Sequence, residues 1–237
     1  MPAVVARAPD AALRIALQRE GPLHAAIKRW YARPGDRVEV PIERYVIDLV
    51  RDEQLIEVQT RGFAGMKPKV RALLALGRRV RIVHPIAVDR WIVTIDDDGA
   101  VLARRRSPRH GRLIDLVAEL VSFPELLDDP GLEIEVLLTA EEEVRRLAPG
   151  RCWRRRGWTT VERRLVDVLD RVLLRSGRDL AGLLPDDLPG RFTTAELAER
   201  SGRSRRTAQQ AAYCLRRLRL IEADGTVGRA TAYRVAT

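Results

Sequence analysis

Two acids and an amide stand where short apolar strands usually carry Val or Ile. Asp48 sits inside YVIDLV, and Glu57 and Gln59 sit inside LIEVQT. Alternate side chains of a strand share a face. That groups Asp48 with Val46 and Val50, and Glu57 with Leu55 and Gln59. If the segments pair through the short turn at 51–54, the two carboxylates lie near each other. Carboxylates at such range repel and lose hydration. A divalent cation relieves both costs, and hard oxygen ligands suit Mg²⁺, which takes one or two carboxylates with waters and phosphate oxygens. The same spacing also fits the wet face of an antiparallel pair, where both acids are ordinary surface residues. Two details favour the cation. Asp is depleted from strands, and a Gly-containing turn and a helix with Lys67 and Lys69 follow at once. Only Lys28 completes the chain's set of lysines.

The elements that must position these residues are legible in outline. Apolar spacing predicts helices over 9–19 and, after Gly21-Pro22, over 23–32, with Pro22 suited to a first helical position. Strands are expected at 37–43, 45–50 and 55–60, then a helix near 66–77 and strands at 79–86 and 91–96. A basic loop, RRRSPRHGR at 104–112, leads to a helix at 113–121. LEIEVLL reads as a strand at 132–138, and Thr139 in TAEEEVRR as the cap of a helix. The expected class is α/β (α+β), a mixed sheet flanked by helices over residues 1–147, with a basic connector at 148–158 and a second domain over 159–237.

Composition bounds the function. The chain has 237 residues, 46% of them hydrophobic, enough for real cores. No apolar run approaches the ~18 residues of a membrane span, and the first residues lack a secretory hydrophobic region, so a cytoplasmic protein without a membrane partner is expected. Cys152 and Cys214 are far apart and imply no disulfide framework or zinc site. His24, His84 and His110 show no metal-ligand spacing. The net charge is +10; residues 151–237 hold 19 Lys and Arg against 10 Asp and Glu, and residues 1–150 hold 24 against 23. That asymmetry points to a polyanion, most simply nucleic acid.

Asp48-x8-Glu57-x-Gln59 on a strand hairpin between two helices resembles the PD-(D/E)xK nuclease superfamily. The resemblance covers roughly residues 20–86 and implies a restriction-endonuclease-like α-β-β-β-α-β core. It makes Asp48 and Glu57 metal ligands for Mg²⁺ or Mn²⁺, with the backbone carbonyl of Val58 as a further ligand. Glu20 corresponds to an additional helix-borne acid. Gln59 departs from the motif, which has Lys there; it would position the water, and Lys67 or Lys69 would supply the missing ammonium. The implied chemistry is metal-assisted phosphodiester hydrolysis. Nucleases of this type often need two active sites for a double-strand cut, so a homodimer is allowed. The alternative is a catalytically inactive DNA-binding or regulatory protein on the same fold.

The C-terminal stretch has its own signature. Thr193-Thr194-Ala195-Glu196 is a capping box, Ser201-Gly202 a turn, and Ser204 the cap of a second helix with an apolar stripe at Ala208, Ala211, Ala212, Leu215 and Leu218. Two short strands follow, bent at Gly225 and Gly228. The pattern resembles a winged helix-turn-helix, with the helix VERRLVDVLDRVLL before it. It implies double-stranded DNA as partner. Arg205, Arg206, Gln209 and Gln210 would meet base edges, and Arg203 and Arg229 would meet phosphates. Such folds also serve as protein-interaction modules.

Overall fold

A computed structural model describes residues 20–148 and 157–236. The helix expected at 9–19, most of the expected connector, and Cys152 lie outside the described residues.

Helix α1 (Pro22–Tyr31) starts with Pro at its first position and buries Leu23, Ile27 and Tyr31, one residue per turn on one face. Strands β1 (Arg37–Ile42), β2 (Tyr45–Arg51) and β3 (Gln54–Val58) follow as an antiparallel meander. A 3₁₀ turn at Phe63–Met66 leads into α2 (Lys67–Ala75). Next come β4 (Arg79–Ile95), β5 (Val101–Arg106), the short α3 (Val117–Leu120), β6 (Leu132–Leu147) and β7 (Trp158–Leu174). These seven strands form one mixed sheet in the order β1-β2-β3-β4-β6-β7, with β5 paired to β4. β4 runs parallel to β3 and β6, and the other pairings are antiparallel.

Both faces of the sheet are covered. One carries α1, whose apolar stripe packs on Leu49, Ile56, Val58, Val83 and Leu137. The other carries the larger core, where Val70 and Leu73 of α2 and Val117 and Leu120 of α3 meet Leu55, Ile82, Ile134 and Val136. After β7 come α4 (Gly177–Ala181), β8 (Arg191–Thr193), α5 (Thr194–Ser201), α6 (Arg205–Arg217), β9 (Ile221–Val227) and β10 (Ala230–Val235). The last strands make a small sheet, β8-β10-β9. The expected caps form: Thr193 and Glu196 close a capping box on α5, Ser204 caps α6, and Gly202 takes the left-handed conformation between the helices (φ 62°). Ala211, Ala212, Cys214 and Leu215 of α6 join the same core as α3, so the C-terminal elements pack directly on the large sheet's layer.

Four expectations are corrected. Residues from Thr139 continue β6 to Leu147 instead of opening a helix. β6 is paired on both sides, and its buried Glu141 and Glu143 find Arg163 and Arg145, so tertiary pairing outweighs local capping. VERRLVDVLDRVLL is β7, not a helix, and it belongs to the large sheet rather than to the C-terminal elements. Its register with β6 shifts three times, skipping Val161, Val166 and Leu169. A bulge adds a residue and breaks the period of two, so Leu165 and Val168, three apart, both pack against the core under α1. The resulting spacing imitates a helix. The skipped residues are the three large apolar side chains that β7 leaves about half exposed. Last, the two strands expected at 79–86 and 91–96 are one, bent by a register shift between Ala87 and Asp89, and the first three residues of the basic loop, 104–106, belong to the exposed strand β5.

Candidate functional site

A cleft of about 510 Å³ opens where β2 and β3 part. Glu20, His24 and Lys28 line it from α1 and the residue run before it, Asp48 from β2, Glu57 and Val58 from β3, Gln59 just beyond, and Lys69 from α2. The β2–β3 ladder ends at Leu49↔Ile56. Beyond it, the Val58 N–H donates to the Asp48 carboxylate at 2.8 Å. A side chain thus takes the place of a main-chain acceptor. The alternation expected along β2 breaks here: Ile47 and Val50 enter the larger core and Leu49 the smaller one.

Glu20, His24 and Lys28 are spaced by four, so they share a side of the chain as α1 begins. The His24 ring bridges two acids. Nδ1 contacts the Glu20 carboxylate, and Nε2 lies 3.3 Å from Asp48 Oδ2. Lys28 Nζ lies 2.7 Å from Glu20 and 3.0 Å from Glu39. One ligand atom each from Glu20, His24 and Asp48 falls within 4.8 Å of the others. Burial alone would lower the His24 pKa, but Asp48 and then Glu20 outweigh it and hold the ring above its ordinary value. Burial would likewise raise Asp48; the His24 contact and the Val58 N–H hold it below the usual carboxylate range.

Glu57 is 9% exposed. Its Oε1 meets its charge partner, Lys69 Nζ, at 2.6 Å. Burial pushes the carboxyl up to about 7, with Asp48 adding to the rise and Lys69 opposing it. Of the two lysines expected to compensate for Gln59, Lys69 reaches Glu57. Lys67 turns to the Ser122 carbonyl (2.8 Å) and Glu125 (3.5 Å). Gln59 lines the cleft, but its amide donates to the Gly62 carbonyl at 2.9 Å. The carbonyl of Gln59 in turn accepts from Nδ1 of buried His84 (2.6 Å), whose pKa burial lowers to about 4. A ring held so far down is neutral and structural.

His24 is the site residue the sequence reading passed over. The usable signal was Glu20-x3-His24-x3-Lys28, a spacing of four on one helical side. Arg61 and Arg163 add positive charge at the mouth of the cleft.

Among the expected DNA contacts, Arg205, Arg206 and Gln209 are exposed on α6, Gln210 is half-buried, and Arg229 is exposed in the β9–β10 turn after Gly228 (φ 60°). Arg205, Gln209, Tyr213 and Arg216 face Arg229 and Tyr233 across a groove of about 590 Å³. Arg203 is placed otherwise. Its guanidinium forks the Asp115 carboxylate, with Nε at 2.8 Å, and its Nη1 donates to the His110 carbonyl at 3.2 Å. It ties the helix turn to the large sheet's layer instead of standing free for phosphate.

A family model described as "Domain of unknown function (DUF8091)" matches residues 21–175. The chain belongs to the DUF8091 family. The matched span opens one residue before α1 and closes one residue after β7, so the DUF8091 unit contains the whole seven-stranded sheet and every cleft acid except Glu20. The placement of β7 in that sheet agrees with where the span ends. The chain is also similar to an "Uncharacterized protein" of Treponema pallidum (strain Nichols), 29% identical over 205 residues, covering 85% of this chain and 78% of that protein. Residues 1–175 amount to less than that coverage, so the similarity extends into the C-terminal elements. No solved structure matches.

Proposed function

We propose that this chain is a metal-dependent DNA nuclease. In this reading a restriction-endonuclease-like unit of the PD-(D/E)xK type is brought to double-stranded DNA by a C-terminal winged helix-turn-helix. The observation that carries the reading is the contact of Lys69 with Glu57. It supplies from α2 the ammonium that the motif has at the position of Gln59.

The donor set fits a small divalent cation. Glu20, His24 and Asp48 offer ligand atoms close together, and Glu57 lines the same cleft, paired with Lys69. Val58, the expected carbonyl ligand, lines the same cleft. Mostly carboxylate oxygens suit Mg²⁺ or Mn²⁺, and the added imidazole favours Mn²⁺. When bound, the metal would supply Lewis acidity toward a phosphate and an activated water. The chain's own residues do the rest. Asp48, held anionic by His24 and the Val58 N–H, provides charge at neutral pH. Lys69, with Arg61 and Arg163 at the rim, counters negative charge developing on phosphate oxygens. Lysine is scarce in a chain with 43 basic residues, and two of its three lysines line this cleft. A compact ammonium with three donors suits such a site better than a planar guanidinium.

For the C-terminal unit, support comes from the capped α5-turn-α6 pair, the exposed basic side of α6, and the β9–β10 hairpin beside it as a wing. One observation favours the second reading, a DNA-binding protein that does not cut: the Gln59 amide is spent on Gly62.

Supercoiled plasmid incubated with the full chain separates the two. Nicked product with Mn²⁺ or Mg²⁺, absent in EDTA, is expected, and linear product would require paired sites in a homodimer. A salt-sensitive mobility shift with no product under either metal supports the second reading.

A further inference from the structure

The stretch RRRSPRHGR at 104–112 holds five arginines and no acid, and nothing in the nuclease reading uses it. Arg104 and Arg106 are neutralised locally. They flank the Trp91 ring at 4.8 and 5.9 Å and pair with Glu142 and Asp89. Alternation along β5 turns Arg105 to the opposite side. Arg105 and Arg109 are exposed and have no acid partner among the described residues.

The loop is pinned in place. Gly111 N–H donates to the Ala87 carbonyl at 2.9 Å. Its Cα packs so tightly that a Cβ would stand 2.6 Å from Ile86 and 2.7 Å from that carbonyl oxygen. The same loop is docked on the turn between α5 and α6. Arg112 Nη1 donates to the Ser201 carbonyl at 2.5 Å, and Arg203 reaches the His110 carbonyl. Asp115, the acid at this junction, is consumed by Arg203. Arg205 and Arg206 begin α6 just past the turn, exposed and likewise without acid partners. Arg109, one residue before His110, is thus brought beside the turn that Arg205 and Arg206 follow, whereas Arg105 pairs with Ile92 farther along β4 and turns to the other face of the sheet. Like charges so placed repel unless a polyanion meets them.

We propose that Arg109 is a second contact for the phosphate backbone of duplex DNA, continuing the surface of α6 onto the loop that follows β5. This rests on the DNA-binding reading of the C-terminal unit. Each neutralised phosphate contributes about 0.9 to the slope of log affinity against log salt. The test is fluorescence anisotropy of a labelled random-sequence duplex of about three helical turns, titrated with the full chain over a salt series. Parallel arms use Arg109→Ala, Arg205→Ala/Arg206→Ala and, for the opposite face, Arg105→Ala. The expected result is a slope shallower by roughly 1 in Arg109→Ala and roughly 1–2 in the α6 double variant, with Arg105→Ala unchanged. If only the α6 variant changes the slope, the inference is overturned and the C-terminal reading stands. If the wild-type chain shows no salt-dependent binding, both are overturned.

Discussion

Lys69 Nζ stands 2.6 Å from Glu57 Oε1 and 2.6 Å from the Val46 carbonyl oxygen. One ammonium therefore ties α2 to the acid at the end of β3 and to the strand before it. Removing it leaves a buried carboxylate without its charge partner and, in the nuclease reading, a phosphate without a counter-charge. Cleavage by Lys69→Met is expected to fall by on the order of 10²–10³, with Lys67→Met within a few-fold of wild type because Lys67 points to Ser122. Single-turnover plasmid nicking checks this; equal losses in both variants would mean that α2 acts only as scaffold.

His24 separates a cation site from a mere charge cluster. Loss of even a partner of a metal ligand usually costs roughly 10–100-fold in affinity, and His24→Ala should weaken Mn²⁺ binding by at least that. The ring is held above its ordinary pKa between Asp48 and Glu20, so metal entry should release a proton. Titration calorimetry in two buffers of different ionisation heat reads both quantities. Unchanged affinity in His24→Ala would exclude the ring as a ligand.

Glu57 gives a pH signature in the metal-free chain. Its folded pKa, about 7, lies above the ordinary 4.5, so between those values the folded chain holds a proton that the unfolded chain has released. The associated stability is full below pH 4.5 and lost as pH rises to about 7. Measured by urea unfolding in EDTA, Glu57→Gln should gain stability relative to wild type from pH 5 to pH 8. Buried His84 acts oppositely, its contribution present above pH 6.5 and lost as pH falls through about 4, and it cancels when the two proteins are compared at each pH. A constant difference between them would contradict the raised Glu57 pKa.

Arg203 should behave as a structural tie. Its fork on Asp115 is about three-quarters buried on both sides. Arg203→Ala is expected to cost about 1–3 kcal/mol in unfolding free energy while leaving the salt slope of DNA binding nearly unchanged. A slope shallower by about 1 with no loss of stability would return Arg203 to the phosphate contacts.

Much of this architecture could be read from local pattern. Pro22, the capping box at Thr193 and Glu196, Ser204 and Gly202 each act through neighbouring backbone, and each marks the boundary expected of it. Asp48, Glu57 and Lys69 meet because a hairpin and the following helix are close in sequence. What escaped the reading depends on distant partners. β7 looked helical because Val161, Val166 and Leu169 are skipped in its register, a property of the pairing with β6. Thr139 looked like a cap because nothing nearby reveals that β4 and β7 lie on either side. Arg203 looked free because Asp115 is 88 residues away.

The most direct measurement is Mn²⁺-dependent cleavage of plasmid DNA by the wild-type chain, Asp48→Ala and Glu57→Ala, with DNA affinity determined on the same preparations. Cleavage by the wild type, a loss of about 100-fold or more in each variant, and affinity within a few-fold across all three is the expected result. Equal cleavage by the three proteins, or none by a wild type that binds DNA and Mn²⁺, would contradict the assignment of this cleft as a nuclease site.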